Sequence, residues 1–246
     1  MPIDDEAPGG RRKLFLDHAP EHVYAIGDVH GHLALLLALE ARIAADRRGR
    51  AGEALIVMLG DYVDRGPASA AVIDHLLAPP PPGFQRICLA GNHEQTMLDF
   101  LESPSFDHAW LEFGGIETLA SYDVALSRGA DGRACLPAGM LPAAHLAFLE
   151  DLPSLLSFPG LCFVHAGVEA GVPLARQRDA VLLWTRPRRG DPPPDPGLLV
   201  VHGHTPVRGV DLQPSRINVD TGAFMTGILS CVRLSRGELP EVLQTG

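Results

Sequence analysis

Val23-Tyr24-Ala25-Ile26-Gly27-Asp28-Val29-His30-Gly31 joins an apolar run to a polar loop, and the arrangement recurs twice downstream. Residues 54–59 lead into Gly60-Asp61-Tyr62-Val63-Asp64-Arg65-Gly66, and residues 87–90 lead into Gly91-Asn92-His93-Glu94. Short unbroken apolar runs are what strands buried on both faces need. In open α/β sheets the loops at the carboxyl ends of strands gather in one crevice. Three loops carrying Asp28, His30, Asp61, Asn92 and His93 would meet there.

Outward from these runs, strand and helix signals alternate. Residues 32–47 place Leu33, Leu36, Leu37, Leu39 and Ile43 on a broad helical face, and residues 68–77 are helical again. The prolines at 79–82 break the chain before the strand at 86–90, and the third loop opens a helix running to about residue 101. Such a series predicts parallel strands with crossover helices. Residues 103–158 mix short helical signals (106–113, 116–122, 143–149) with Gly and Pro breaks. They read as a helical insertion beside the site, within a single domain spanning 13–246. Strand signals resume at 161–164, 198–201, 217–219 and 228–234, close enough together to suggest an antiparallel second sheet. The proline-rich stretch at 191–196 reads as a surface connector. Residues 1–12 read as a loose tail without the features of a signal peptide.

Composition narrows the partners. A formal net charge of −10 argues against a nucleic-acid-binding surface. No run of 18 apolar residues is present, so no membrane-spanning helix is expected. Cys88, Cys135, Cys162 and Cys231 form no CxxC pair, which points to a reducing, cytoplasmic compartment. None of them stands in a polar loop beside a candidate base, as a nucleophilic thiol would.

Carboxylate, imidazole and amide oxygens suit borderline divalent metals such as manganese, iron or zinc. Asp28 and His30 are two apart, a spacing that points both side chains the same way in extended chain. Asp61 has two oxygens with which to bridge two metals, and Asn92 adds a neutral oxygen. Two metals about 3.5–4 Å apart activate water and neutralise phosphoryl oxygens. His165 ends the run at 161–164, and His202 and His204 end that at 198–201. The same pattern at five strand ends favours ligation over structural roles. His204 is preferred to His202 as a ligand, because the loop after Gly203 is where the crevice should lie; His202 would then hydrogen-bond to a ligand or substrate. His93 can protonate a leaving alkoxide with Asp64 orienting its ring. Arg65, and Arg186 after Trp184-Thr185, can hold phosphate oxygens in a fork. A salt bridge across the turn is the alternative reading of Asp64 and Arg65.

The three motifs, with Phe163-Val164-His165-Ala166-Gly167, Gly203-His204-Thr205-Pro206 and Ile217-Asn218-Val219-Asp220-Thr221-Gly222-Ala223, resemble the phosphoprotein phosphatase family of the calcineurin-like metallophosphoesterases. The compact length is closest to its bacterial and phage-type members. The resemblance implies an α/β (α+β) fold, a central β-sandwich flanked by helices, with the C-terminal strands completing the second sheet. It implies that Asp28, His30 and Asp61 bind one metal, and that Asp61, Asn92, His165 and His204 bind another. His93 would be the catalytic histidine and Asp64 its partner; Arg65, Arg186 and Asn92 would contact the substrate. The implied cofactor is two divalent ions, Mn2+ by likeness to bacterial members, with Fe and Zn open. A metal-bridging hydroxide would attack phosphorus in line, and His93 would protonate the leaving oxygen.

The implied activity is that of a serine/threonine protein phosphatase. A symmetrical bis(5′-nucleosyl)-tetraphosphatase would share every motif. An open, shallow site would admit a phosphoprotein loop, whereas a roof with a base-stacking aromatic such as Phe113 or Tyr122 would favour a nucleotide. Pro206 stands where many nucleases of the superfamily carry a second histidine, and that argues against nuclease activity. A non-catalytic metal-binding scaffold is disfavoured, because every proposed catalytic position holds a competent residue. The expected partner is a phosphorylated protein or a small phosphoester, with no membrane.

Overall fold

Side chains alternate across a strand, so Val23 and Ala25 face one way and Tyr24 and Ile26 the other, and all four are buried. This strand therefore needs an apolar layer on each side. The computed structural model describes residues 10–129, 134–191 and 195–246. Along them run β1 (Lys13–Phe15), β2 (His22–Ile26), α1 (Leu33–Arg47), β3 (Ala54–Met58), α2 (Ser69–Leu77), β4 (Gln85–Cys88), α3 (Asn92–Glu102), α4 (Gly115–Ser121), β5 (Ser127–Arg128), β6 (Ala134–Cys135), α5 (Ala143–Asp151), β7 (Leu155–Phe158), β8 (Leu161–Val164), α6 (Asp179–Leu182), β9 (Leu199–His202), β10 (Asp211–Gln213), β11 (Arg216–Asn218), α7 (Ala223–Thr226), β12 (Ser230–Ser235) and β13 (Glu241–Gln244).

Two sheets face each other. The first has five strands in the order β13-β12-β2-β3-β4, and the second six in the order β1-β7-β8-β9-β11-β10. Val23, Ala25, Leu55 and Val57 of the first pack against Leu156, Phe163, Val201 and Ile217 of the second. On the outer face of the first sheet, Tyr24, Ile26, Ile56 and Met58 meet Leu36, Leu39 and Ile43 of α1, Val72 and Ile73 of α2, and Met97 and Phe100 of α3. Successive residues of β2 and β3 thus enter different cores, which explains why these strands read as unbroken apolar runs. The helix-flanked sandwich is the architecture that the resemblance implies. Strands β2, β3 and β4 are parallel, as their alternation with helices requires.

The C-terminal strands are distributed differently from the expectation. β12 joins the first sheet, antiparallel to β2, with Cys231, Val232 and Arg233 opposite Ile26, Ala25 and Tyr24. Val232 there reaches the layer between the sheets and Cys231 the helical layer, so both faces of β12 gain cover. The second sheet is mixed rather than antiparallel: β8, β9 and β11 run parallel to one another. Parallel neighbours need a return connection, and residues 165–198 and 203–215 supply the two.

The 103–158 segment also differs in part. Its first helical signal forms a 3-10 turn at Ala109–Leu111, followed by α4, the β5–β6 hairpin and α5. Leu155–Phe158 is not part of an insertion, because β7 is wholly buried between β1 and β8 in the second sheet. Of the expected tail, residues 1–9 lie outside the described residues, while Arg11 donates to the carbonyls of Leu149 and Leu152 and Arg12 pairs with Asp151. Residues 192–194 of the expected connector also lie outside them. Among the described residues no helix is long and apolar enough to cross a membrane. The four cysteines are free thiols.

Candidate metal centre

Loops from both sheets are stitched together at one end of the sandwich. Val29 N and His30 N donate to the Asp61 carbonyl at 3.0 and 2.8 Å, tying the loop after β2 to the loop after β3. The buried Glu94 carboxylate accepts from Gly91 N, Asp61 N and Tyr62 N at 2.8, 2.8 and 2.7 Å, tying the loop after β3 to the start of α3. His204 N donates to the Asp28 carboxylate at 3.1 Å, which links the two sheets. Gly91 and Gly203 stand at close approaches: a Cβ on either would collide with the Asp61 or Asp28 carboxylate. His30, Asp61, Asp64, Arg65 and His204 all adopt left-handed backbone, with φ of 45°, 53°, 73°, 69° and 67°. Asp123 is the only other non-glycine with positive φ among the described residues. That conformation costs about 1–2 kcal/mol per residue and concentrates where function over-determines the backbone.

Four ligand-type atoms converge on one point. His165 Nε2 lies 2.8 Å from Asn92 Oδ1, 3.2 Å from His204 Nδ1 and 3.4 Å from Asp61 Oδ1, and His204 Nδ1 lies 2.8 Å from Asn92 Oδ1. Ligands at about 2.0–2.2 Å from a common cation are separated by about 2.8–3.6 Å in tetrahedral or octahedral shells, so the spacing fits a coordination shell. A second set forms on the other oxygen of Asp61: His30 Nε2 lies 3.5 Å and His93 Nε2 3.9 Å from Asp61 Oδ2. Asp61 belongs to both sets, as a bridging carboxylate must.

Charge separates the histidines by chemistry. Burial pulls His30 and His204 down to about 3 and lowers His165 as well. These imidazoles are neutral, the form that binds a cation. Burial also acts on His93, but Asp61 and Asp64 outweigh it and raise its pKa, so His93 holds a proton more readily than the other three. Burial works against the Asp61 carboxylate too, yet the surrounding histidines hold it below the ordinary range. Asp28 is not among the residues whose atoms converge in either set. Burial, with the neighbouring Asp220 charge, pushes it well above the ordinary range, and burial raises Asp220 to about 6. A divalent cation at Asp28 would favour its ionised form.

Beside the two sets, His93 Nδ1 donates to Asp64 Oδ2 at 2.6 Å. Arg65 Nη1 and Nη2 lie 3.1 Å from His30 Nε2 and 3.2 Å from His93 Nε2. Arg186 is exposed and close enough for its charge to act on His204. The Phe224 ring is 5.3 Å from His30 and lies under the Arg65 guanidinium at 4.1 Å. Phe113 stands 6.4 Å from the His93 ring, and both phenylalanines line a shallow depression with Arg65, Ile116 and Glu117. Tyr122 is elsewhere, with its hydroxyl 2.8 Å from His145 Nδ1. His202 is not brought to the centre; its Nδ1 faces the Gly203 carbonyl at 3.0 Å and its buried Nε2 has no partner.

Four residues with polar roles here escaped the reading of the sequence. Asp220 directly follows the buried Val219, and Glu94 is the acid in the first turn of α3; those are the signals that could have found them. Trp110 and Thr118, which both touch Asp64, lie in a segment whose local pattern announces nothing beyond short helices.

Cation binding to the folded state alone adds about 2.7 kcal/mol at one hundred times the dissociation constant. For a chain of this size that is a rise of roughly 5–10 °C in the midpoint of thermal unfolding. The check is thermal unfolding of chelated protein with and without added divalent cation; an unmoved midpoint would remove the metal centre.

Comparison with known proteins agrees with this architecture. The family model described as calcineurin-like phosphoesterase matches residues 21–223. An asymmetrical bis(5′-nucleosyl)-tetraphosphatase from Geobacillus thermodenitrificans is 27% identical over 238 residues, covering 86% of this chain and 90% of that one. Serine/threonine-protein phosphatase 1 of Salmonella typhimurium is 33% identical over 94 residues, covering 38% of this chain and 39% of that one. A crystal structure of a cold-active protein-tyrosine phosphatase from a Shewanella species superimposes with a TM-score of 0.60 at 18% identity, over 94% of this chain and 82% of that one, and shares the fold.

Proposed function

The chain belongs to the calcineurin-like phosphoesterase family, which makes it a phosphoester hydrolase, and we propose that it acts as a serine/threonine protein phosphatase releasing phosphate from alkyl monoesters. The observation that carries this reading is the buried Asp64–His93 pair, whose Nε2 faces Asp61 and the Arg65 guanidinium. Serine and threonine leave as strongly basic alkoxides, so their release gains most from a positioned proton donor. A phosphoanhydride leaves as a weak base and gains less. The depression beside Arg65 is shallow and open, which favours entry of a protein loop.

Asp28, His30 and Asp61 would hold one cation, and Asp61, Asn92, His165 and His204 the other. Two bound divalent cations, manganese in our reading, supply Lewis acidity and water activation. Arg65 and Arg186, with Asn92, would bind the phosphate oxygens. Asp64 holds Nδ1–H of the His93 imidazolium, whose second proton, on Nε2, would pass to the departing oxygen and leave the ring neutral. The four free thiols agree with a reducing cytoplasmic location.

A second reading, hydrolysis of dinucleoside polyphosphates, is favoured by Phe113 and Phe224 at the rim, where a base could stack, and by the extent of similarity to the Geobacillus enzyme. The deciding experiment measures kcat/KM of the manganese-loaded protein on a phosphoserine peptide and on diadenosine tetraphosphate. We expect the peptide to be the better substrate, and Phe113→Ala to leave its KM within about twofold. Higher efficiency on the dinucleotide, with a roughly tenfold rise in its KM in Phe113→Ala, would replace the phosphatase reading by the nucleotide one.

A further inference from the structure

The Asp64 carboxylate is fully buried and accepts from three different side chains. His93 Nδ1 reaches Oδ2 at 2.6 Å, Thr118 Oγ1 reaches Oδ1 at 2.7 Å, and Trp110 Nε1 lies 3.0 and 2.9 Å from the two oxygens. The direction of the hydroxyl bonds follows from counting donors. Asp64 has no proton to spare for Thr118, so Thr118 Oγ1–H donates to Asp64. Thr118 Oγ1 in turn accepts from Asp64 N at 2.8 Å and from Ser69 Oγ at 3.0 Å. Ser69 Oγ also accepts from Asp64 N at 3.1 Å.

Both braces come from the 103–158 segment. Trp110 sits in the 3-10 turn at Ala109–Leu111, with its ring 4.7 Å from Phe100 and packed so closely on Gly115 that no Cβ fits there. Thr118 projects from α4 and is buried. The Gly114 carbonyl between them accepts from Arg65 N at 3.3 Å. The segment therefore grips consecutive residues, Asp64 and Arg65, both on left-handed backbone. A buried carboxylate needs partners simply to offset its desolvation. Here the partners also leave Oδ2 a single direction in which to meet His93.

We propose that Trp110 and Thr118 are positioning residues for proton donation: their hydrogen bonds hold the Asp64 carboxylate against His93 Nδ1–H and thereby aim Nε2 at the leaving oxygen. The inference rests on the reading of His93 as proton donor. It gives the 103–158 segment a role in the chemistry, separate from any role in admitting substrate.

The test separates aim from mere stability through the leaving group. Trp110→Phe removes the indole donor and keeps an aromatic ring; Thr118→Val removes the hydroxyl at nearly constant volume; Thr118→Ser keeps it. With an alkyl leaving group, a phosphoserine peptide, kcat should fall about tenfold in Trp110→Phe and in Thr118→Val. With p-nitrophenyl phosphate, whose leaving group needs no proton, it should fall less than about twofold. KM and metal content should hold, and Thr118→Ser should recover most of the activity. A second readout needs no turnover: the Trp110 indole N–H proton resonance should move upfield in Asp64→Asn. Equal losses on both substrates, or an indole resonance that does not move, overturn the inference. His93→Asn is measured alongside. If it loses activity on the peptide while Trp110→Phe and Thr118→Val do not, the inference alone fails; if it loses none, the proton-donor reading fails and takes the inference with it.

Discussion

His93→Asn should lower kcat on a phosphoserine peptide by about 10²–10⁴-fold, the usual contribution of a positioned general acid, while two cations stay bound. The asparagine amide can still donate to Asp64 from near the position of Nδ1, so the buried carboxylate keeps its partner and the fold is spared an unpaired charge. What disappears is the Nε2–H that faces the cluster. The geometry makes this a sharp test, because His93 Nε2 lies close enough to His30 and Asp61 to count as a ligand by distance alone. Its Nδ1 meets the Asp64 carboxylate at 2.6 Å, whereas Nδ1 of His30 and of His165 face backbone carbonyls, and that carboxylate partner is the reason for assigning it to proton transfer. Turnover and metal stoichiometry measured on the same preparation decide the matter. Parallel loss of metal and activity would move His93 into the ligand set.

Asp61→Asn should empty both cation positions. Oδ1 faces His165 and Oδ2 faces His30, so one residue serves two shells. The amide keeps an oxygen on one side and turns an N–H2 group, which cannot ligate, towards the other. It also removes the negative charge that would face both cations. Asparagine accepts left-handed backbone, so the loop at φ 53° keeps its shape and the loss is one of charge and ligation. Losing several kcal/mol of charge stabilisation corresponds to a fall in rate on the order of 10³-fold. Metal analysis after gel filtration is the direct check. Two tightly held ions per chain in the variant would end the bridging assignment.

The parts of this protein that could be read in advance are those written locally. β2 and β3 announce themselves because residues facing two cores are all apolar, and each then stops at Gly-Asp. β12 was legible as a strand but not in its placement. Pairing Cys231 with Ile26 is a decision made across the whole chain, and nothing near residue 231 records it. β7, a four-residue strand beginning two residues after Pro153, reads locally as the end of a helical stretch, and only burial on both sides identifies it. The site divides in the same way. His30, Asp61, Asn92, His165 and His204 each follow a strand and could be named. Trp110 and Thr118 reach Asp64 across 46 and 54 residues, from helical surroundings in which a tryptophan or a threonine is an ordinary core residue.

The left-handed backbone at five site positions has a consequence for how this sequence can drift. At His30, Asp61, Asp64, Arg65 and His204 the conformation itself filters replacements before any chemistry is tested. Glycine, asparagine and aspartate can occupy such positions, whereas valine, isoleucine and threonine cannot without moving the loop. A population of variants selected for abundance alone should therefore decay at these positions towards asparagine and glycine, keeping the shape of an active centre long after its chemistry has gone. An inactive descendant of this protein would look, in outline, like a working one.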